Sequence, residues 1–540
     1  MPKKPNILIL FTDQQRFDAL GCAGNPEVRT PNMDALAASG IRFTRACTTT
    51  PVCVAARMTM VTGHRVVRHR FPANNKLPTA AVNLPTLMDC LHDAGYWNQA
   101  IGKTHFRNLL YGFHRFESAE EVRHSFLEDD YLIYLRENKV RTRFPNGHRD
   151  LLYFQPQTNG IPLEHHKTTW VTCRSIEFLR NHTRFNSDRP FFLFCSWTAP
   201  HPPFAPPAPY DDMYDLKDMG LPEYNERPMS TMPAVCRGSR ARLDGMHHDP
   251  ERLRRVRALY YGLVSQVDDG VGEVLGELKR LGLEDDTIVI FTSDHGDMLG
   301  DHGLSQKNVP YEHSIRIPFI VRWPGITAEG AACDDLVGLH DIMPTLIHGL
   351  GLEYPLDSAP LPGESLLRRG GIGLGCEREG IYIDYGYGGS RWVALRTDRY
   401  KYSLWASGGR EELYDMQEDP WETQNLAQTE PDLTISFRER VLGWERRQGF
   451  SESFDDNGWK TYPEPPVPET DPAGVTMNEG QWPNNLPPDM QDDVESYAEA
   501  FTRLISKENT LSPEKLSIAD FKAKGGDLRG TPWEQAWQDA

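Results

Sequence analysis

Four largely apolar runs punctuate the chain, at residues 7–11, 191–197, 287–291 and 319–322. Short runs without polar alternation are the pattern of strands buried on both faces, as in a parallel sheet. Apolar residues at helical spacing predict helices between them, over 31–39, 84–94, 170–181 and 253–281. The first has its own start and stop signals: Thr30 as cap, Pro31 at the first position and Gly40 at the end. Strands alternating with helices in this way predict an α/β fold, a large and mostly parallel mixed sheet sandwiched by helices.

The texture changes after residue 375. Short strand-like pieces at 380–384, 391–396, 401–405 and 412–414 are joined by Gly and Asp turns, and a helical stretch follows at 431–448. This predicts a small antiparallel sheet with one helix. From Ser451 the chain is acidic and carries eight prolines between Pro463 and Pro488, then a helical pattern at 490–507, and it closes with Trp533 and Trp537. Proline-rich arms seldom build a core of their own. The expected organisation is therefore a large α/β domain (1–375), a small α+β domain (376–450) and an extension (451–540) that wraps its own domain or a neighbouring subunit. A homo-oligomer, dimer or tetramer, is the expected assembly.

Composition narrows the possibilities. A length of 540 residues suits one large domain plus smaller units. The formal net charge of -18 argues against nucleic acid and anionic membrane surfaces as partners. It also means that an anionic substrate needs a local cationic pocket or a metal. No apolar run approaches the length of a membrane span, and the start, Met1-Pro2-Lys3-Lys4-Pro5, leads directly into a strand too short for a signal-peptide core. The nine cysteines are scattered and free of CxxC pairs, the usage of reduced thiols, so a cytoplasmic location is expected.

Candidate chemistry gathers at strand ends, where open α/β sheets bind their ligands. The first strand runs into Asp13-Gln14, the second into His201-Pro202-Pro203-Phe204 and the third into Ser293-Asp294-His295-Gly296-Asp297. Asp13, Gln14, Asp294 and His295 supply oxygen and nitrogen donors of metal-site type. A mostly oxygen shell suits calcium or magnesium, while an imidazole favours manganese or zinc. The run Cys53-Val54-Ala55-Ala56-Arg57 places a small residue two positions and an arginine four positions after a cysteine. On its own it also reads as a buried cysteine beside a salt-bridged arginine.

In this order the motifs resemble those of the sulfatase family, within the alkaline phosphatase-like superfamily. The likeness covers about residues 5–450 and rests on Asp13-Gln14, Cys53 to Arg57 with Thr62-Gly63, and Gly102-Lys103-Thr104-His105. It continues through His201-Pro202, Thr292 to Gly296, Lys307, Arg316-Ile317-Pro318, Glu412-Leu413-Tyr414-Asp415, Asp419-Pro420 and Asn425-Leu426. The resemblance implies that residues 1–375 are the catalytic domain. It also implies that a formylglycine-generating enzyme oxidises Cys53 to formylglycine, whose hydrate is the nucleophile and a metal ligand. Asp13, Gln14, Asp294 and His295 would complete the site of one divalent metal. Calcium is the expected ion, with manganese, magnesium and zinc as alternatives, because Gln14 and His295 stand where many relatives have an aspartate and an asparagine. Arg57 would hold the region of the nucleophile and sulfate. Lys103 and Lys307 would contact sulfate oxygens, His201 would protonate the leaving alcohol, and His105 would deprotonate the remaining hydroxyl. Asn74 is a further candidate contact, or a loop asparagine bonded to backbone.

The resulting expectation is hydrolysis of sulfate esters of small sugar, aryl or alkyl alcohols. A phosphonate monoester or phosphodiester hydrolase of the same superfamily is the runner-up. That branch resembles this chain at Asp-Gln, Asp-His and His-Pro-Pro-Phe but usually lacks the Gly-Lys-x-His that Lys103 and His105 preserve. A non-catalytic binding protein of the same fold is the third reading. Tyr385, Tyr387, Arg391, Trp392, His165, His166 and Arg237 are weaker candidates for the mouth of a site.

Overall fold

In a computed structural model the chain is described over residues 4–74, 84–106, 110–121, 129–140, 156–222, 228–243, 249–356, 359–368 and 373–466. Eight strands form the main sheet: β1 (Asn6–Asp13), β2 (Ile41–Cys47), β3 (Trp97–Gly102), β4 (Arg115–Ser118), β5 (Phe191–Pro200), β6 (Thr287–Ser293), β7 (Phe319–Arg322) and β8 (Ala331–Gly338). Their order is β4-β3-β5-β1-β6-β7-β2-β8. The apolar run of β1 sits at the centre, paired in parallel with β5 and with β6.

The central strands are apolar on both faces because both faces are covered. Leu8, Leu10, Leu193, Trp197, Val289 and Phe291 belong to one core, under the helices Pro31–Ala38, Lys167–Phe185 and Pro250–Arg280. Ile7, Ile9, Phe11, Phe192, Phe194, Ile288 and Ile290 belong to the other, with the helices Cys53–Thr62, Leu87–Asp93 and Ile342–Leu350. Each such side chain contributes about 1.5–3 kcal/mol by leaving water.

One strand departs from the sequence reading. The run at 319–322 reads as a parallel-type strand, but β7 is antiparallel to both neighbours, β6 and β2. The segment between β6 and β7 contains no long crossover helix, only the short turns Asp301–Gly303 and Glu312–Ile315, so the chain returns along the sheet from the same end. The other pairings in this sheet are parallel. Their carboxyl ends therefore share one edge.

A second sheet, β12-β11-β10-β9, is antiparallel throughout. It consists of β9 (Gly380–Tyr385), β10 (Trp392–Thr397), β11 (Tyr400–Trp405) and β12 (Glu411–Asp415). Val393, Leu395, Tyr402, Leu404 and Leu413 pack there with Phe437 and Val441 of the helix Pro431–Gln448. Its other face shares a core with Met298, Leu304, Val309, Tyr311 and Ile315, so it leans on the segment that follows β6. The start of the extension folds back on this sheet: Tyr462 N–H donates to the Ala406 carbonyl, and Glu464 pairs with Arg410 and Arg237. The helical pattern at 490–507, Trp533 and Trp537 lie outside the described residues.

The helix at 31–39 ends at Ala38, and Thr30 does not cap it through its side chain. Thr30 Oγ1 instead accepts from Gly21 N–H and donates to Asp34 Oδ1. Helix starts elsewhere are capped: Thr86 and Asp89 form a capping box at Leu87–Asp93, and Asp249 Oδ1 accepts from Arg252 N–H at Pro250–Arg280.

Gly102, at the end of β3, has φ of 103°, and a Cβ there would lie 1.9 Å from the Ser196 carbonyl oxygen. Only glycine fits both the backbone angle and the contact. We predict that Gly102→Ala destabilises the fold by about 2–4 kcal/mol and displaces Lys103. Urea unfolding measures this, and an unchanged midpoint would show that the strand end tolerates a side chain.

Candidate active site

Five parallel strands deliver the site at one sheet edge. Asp13 closes β1, Lys103 follows β3, Glu121 lies three residues beyond β4, His201 follows β5, and Asp294-His295 follow β6. Cys53 is the first residue of the helix Cys53–Thr62, with extended Val52 before it. Its Sγ lies 3.2 Å from His295 Nε2 and 3.8 Å from Asp13 Oδ1. One donor atom from each of Asp13, Cys53, Asp294 and His295 falls within 4.8 Å of the others, and all four residues are buried. This cluster could hold a metal ion.

Arg57 lies one helical turn after Cys53, on the same helix face, and is fully buried. Its guanidinium joins the cluster from beneath. Nε donates to Asp294 Oδ2 and Nη2 to Asp13 Oδ2, each at 2.9 Å, while Nη1 donates to the Lys103 carbonyl and Ser196 Oγ. The structure thus gives Arg57 the bracing position between two carboxylates and two strand ends.

Gln14 has a left-handed backbone, φ 66°, and its N–H donates to Asp294 Oδ1. Its Nε2 donates to Asp297, a carboxylate that can only accept, so the amide oxygen must face the site. That oxygen accepts from Lys307 Nζ at 2.5 Å. Lys307 Nζ also lies 3.1 Å from His201 Nε2. The small sheet holds this lysine in place, because Trp392 Nε1 donates to the carbonyl of the adjacent Asn308 at 2.9 Å.

Lys103 Nζ is 2.6 Å from Asp13 Oδ2 and also pairs with Glu121. His201 Nε2 is 3.4 Å from the other Glu121 oxygen. His105, another left-handed residue at φ 64°, is anchored through its N–H to Glu120 Oε1. Cys53, His105 and Glu121 form a second group whose donor atoms lie within 4.8 Å of one another. Asn74 Oδ1 accepts from Val54 N–H at 3.1 Å, so it holds the helix start beside Cys53 through backbone.

Charge and burial compete at every position. Burial disfavours the Cys53 thiolate, yet Lys307, Lys103 and His295 pull the thiol well below its ordinary pKa. Burial and Cys53 oppose ionisation of Asp13, but Lys103, His201 and Arg57 override them and bring it to about 2. At Asp294 burial and the Asp13 charge prevail, and its pKa rises. Burial lowers that of His201 against the pull of Glu121. This is a concentrated cationic rim around a nucleophile-sized position, in a protein whose overall charge is negative.

The structure brings together Asp13, Gln14, Cys53, Arg57, Lys103, His105, His201, Asp294, His295 and Lys307. The weaker candidates have other work. Trp392 is buried, and Arg391 is tied to Asp384 and Glu445. His166 caps the helix Lys167–Phe185, His165 Nδ1 meets the Tyr134 hydroxyl, and Arg237 binds Glu464. Tyr387 is exposed and, with Arg391, Phe450, Trp459 and Tyr462, lines a separate cavity of about 180 Å³. Glu121 and Asp297 have roles that sequence reasoning did not assign. Glu121 follows β4, a strand whose four residues RFES carry no apolar run.

The fold, a mostly parallel sheet with helices on both faces and a carboxylate–imidazole cluster at its carboxyl edge, is of the alkaline phosphatase-like class. The sulfatase family model matches residues 5–352, and a model described as N-sulphoglucosamine sulphohydrolase, C-terminal, matches 300–441. An arylsulfatase of Clostridium perfringens is 33% identical over 474 residues, spanning 81% of this chain and 92% of that protein. A multifunctional alkaline phosphatase superfamily protein of Trinickia caryophylli is 30% identical, over 65% of this chain and 75% of its own. The crystal structure of the phosphonate monoester hydrolase of Agrobacterium radiobacter superposes with a TM-score of 0.68 at 24% identity, covering 85% of this chain and 100% of that one. The chain belongs to the sulfatase family and is a sulfatase enzyme.

Arg57 gives the site its sharpest stability test. Arg57→Met leaves Asp13 and Asp294 buried without their shared counter-charge, a loss of about 3–5 kcal/mol in metal-free protein. Arg57→Lys cannot bridge both carboxylates and should recover only part of it. Denaturation in the presence of a chelator checks this, and wild-type stability in Arg57→Met would contradict the bracing role.

Proposed function

We propose that Cys53 is converted to formylglycine by a formylglycine-generating enzyme. The chain then hydrolyses small sulfate esters of sugar, aryl or alkyl alcohols, releasing inorganic sulfate, with one divalent ion, calcium first. The observation that carries this reading is the position of Cys53, whose Sγ shares one 4.8 Å cluster with Asp13, Asp294 and His295.

The donor set fits the metal. Two carboxylates, one imidazole and the oriented Gln14 oxygen supply mostly hard ligands, and oxidation of Cys53 would replace its sulfur with oxygen. Magnesium is an alternative for the oxygen ligands, and manganese and zinc are alternatives because of His295. When present, the hydrated aldehyde supplies an oxygen nucleophile and the ion supplies Lewis-acid stabilisation of sulfate oxygens.

The chain's own residues do the rest. Lys103 Nζ and Lys307 Nζ bind the sulfate oxygens and counter the charge that grows on them. His201 Nε2 accepts from Lys307 Nζ at 3.1 Å, and the proton that it takes from this lysine passes to the departing ester oxygen. His105 takes the proton whose loss lets residue 53 expel sulfate by carbon–oxygen cleavage, with no attack by water on the sulfated enzyme. Its Nδ1 is buried and has no hydrogen-bond partner among the described residues. Arg57 fixes the two carboxylates, and Asn74 orients the helix start that carries residue 53.

The pairing of Gln14 with His295 favours a second reading, a phosphonate monoester or phosphodiester hydrolase. Lys103 and His105 favour sulfate. A reducing, cytoplasmic setting belongs to the proposal because none of the nine cysteines is placed in a disulfide. The division at residues 375 and 450, and a homo-oligomer assembled through the extension, are proposed on the sequence pattern.

Serine at position 53, if left unconverted, has one hydroxyl and cannot expel sulfate in this way. We predict that Cys53→Ser releases one equivalent of nitrophenol from 4-nitrophenyl sulfate and then stalls with a sulfated residue-53 peptide. Sustained turnover at the wild-type rate by that variant would contradict the mechanism.

A further inference from the structure

We infer that Glu121 is a specificity-determining residue that admits monoanionic esters and excludes dianionic ones. This rests on the sulfatase reading of the site.

Glu121 and its neighbour divide two tasks. Glu120 is the structural brace: its Oε1 accepts from Thr104 N–H, Thr104 Oγ1 and His105 N–H, and its own N–H donates to Asp129. Glu121 reaches into the site instead. One carboxylate oxygen pairs with Lys103 Nζ, and the other lies 3.4 Å from His201 Nε2. A Glu121 oxygen, Cys53 Sγ and a His105 ring nitrogen all lie within 4.8 Å of one another. A carboxylate group therefore stands beside the position where the ester's central atom must sit. Its side chain is 8% exposed, so solvent screens it weakly.

A carboxylate there does not help to bind an anion. It occupies Lys103, which Asp13 also occupies at 2.6 Å, and so cancels charge that a substrate would otherwise use. The remaining positive field accommodates one negative charge better than two. A sulfate ester carries one, as do a phosphodiester and a phosphonate monoester. A phosphate monoester carries about two once pH exceeds its second pKa near 6. Glu121 accordingly sorts substrates by charge rather than by shape, since all of these share tetrahedral geometry.

The test compares Glu121→Gln, which keeps size and removes charge, with wild type and Glu121→Asp, in protein whose residue 53 is confirmed as formylglycine. The readout is the ratio of kcat/KM for 4-nitrophenyl phosphate to that for 4-nitrophenyl sulfate. The ratio should rise by about tenfold or more in Glu121→Gln at pH 8. The rise should shrink as pH falls below the second pKa of the phosphate ester, where it becomes a monoanion, and Glu121→Asp should stay close to wild type. An equal fall of both activities, or a rise that ignores pH, would overturn the inference and leave Glu121 a structural partner of Lys103. If the variant turns over too slowly, calorimetric binding of methyl phosphate against methyl sulfate at pH 8 reads the same preference, and an unchanged preference overturns it. Failure of wild-type enzyme on every sulfate ester would instead reject the proposed function.

Discussion

Two buried carboxylates at one sheet edge cannot both stay ionised without a shared cation, and Arg57 is that cation. Its guanidinium spans Asp13 and Asp294 at 2.9 Å each, and also ties the ends of β3 and β5 through Lys103 and Ser196. Because Arg57 lies one turn after Cys53, the same contacts fix the start of the helix. The spacing of cysteine and arginine in the sequence is thus a geometric requirement. One helix face must present a reacting atom at its end and a counter-ion one turn deeper.

The cationic rim follows from that arrangement. Asp13 and Gln14 position Lys103 and Lys307, and the lysines in turn draw the Cys53 thiol toward its ionised form against burial. The small sheet takes part, since Trp392 anchors the carbonyl next to Lys307. A mature site with fewer negative groups would bind any tetrahedral oxyanion more tightly and choose among them less well. Glu121 ties the cationic rim to that choice.

Much of this was legible in the sequence. The apolar runs of β1, β5 and β6 are visible because both faces of those strands are buried. Their polar ends announced Asp13, His201 and Asp294. The strands β2, β3, β4 and β8 were not legible. In β3 the buried Asn98 and Gln99 interrupt the apolar run and find partners only in the fold: the Met88 and Gly112 carbonyls for Asn98, and Glu117 for Gln99. The direction of β7 depends on a return at the sheet edge that no local pattern records. Glu121 was hidden for the same reason as β4, whose short sequence has no strand signature. The separate task of Trp392 was invisible because its partner, the Asn308 carbonyl, is 84 residues away.

The most direct measurement is a rate panel on enzyme whose residue 53 has been confirmed as formylglycine by peptide mass. The panel comprises an aryl sulfate, a sulfated monosaccharide, a phosphodiester and a phosphonate monoester. Dominant kcat/KM on the sulfate esters, abolished by chelation and restored by calcium, is the predicted result. Dominant turnover of the phosphonate or phosphodiester would contradict it, and would show that the Gln14 and His295 pair, rather than Lys103 and His105, sets the chemistry.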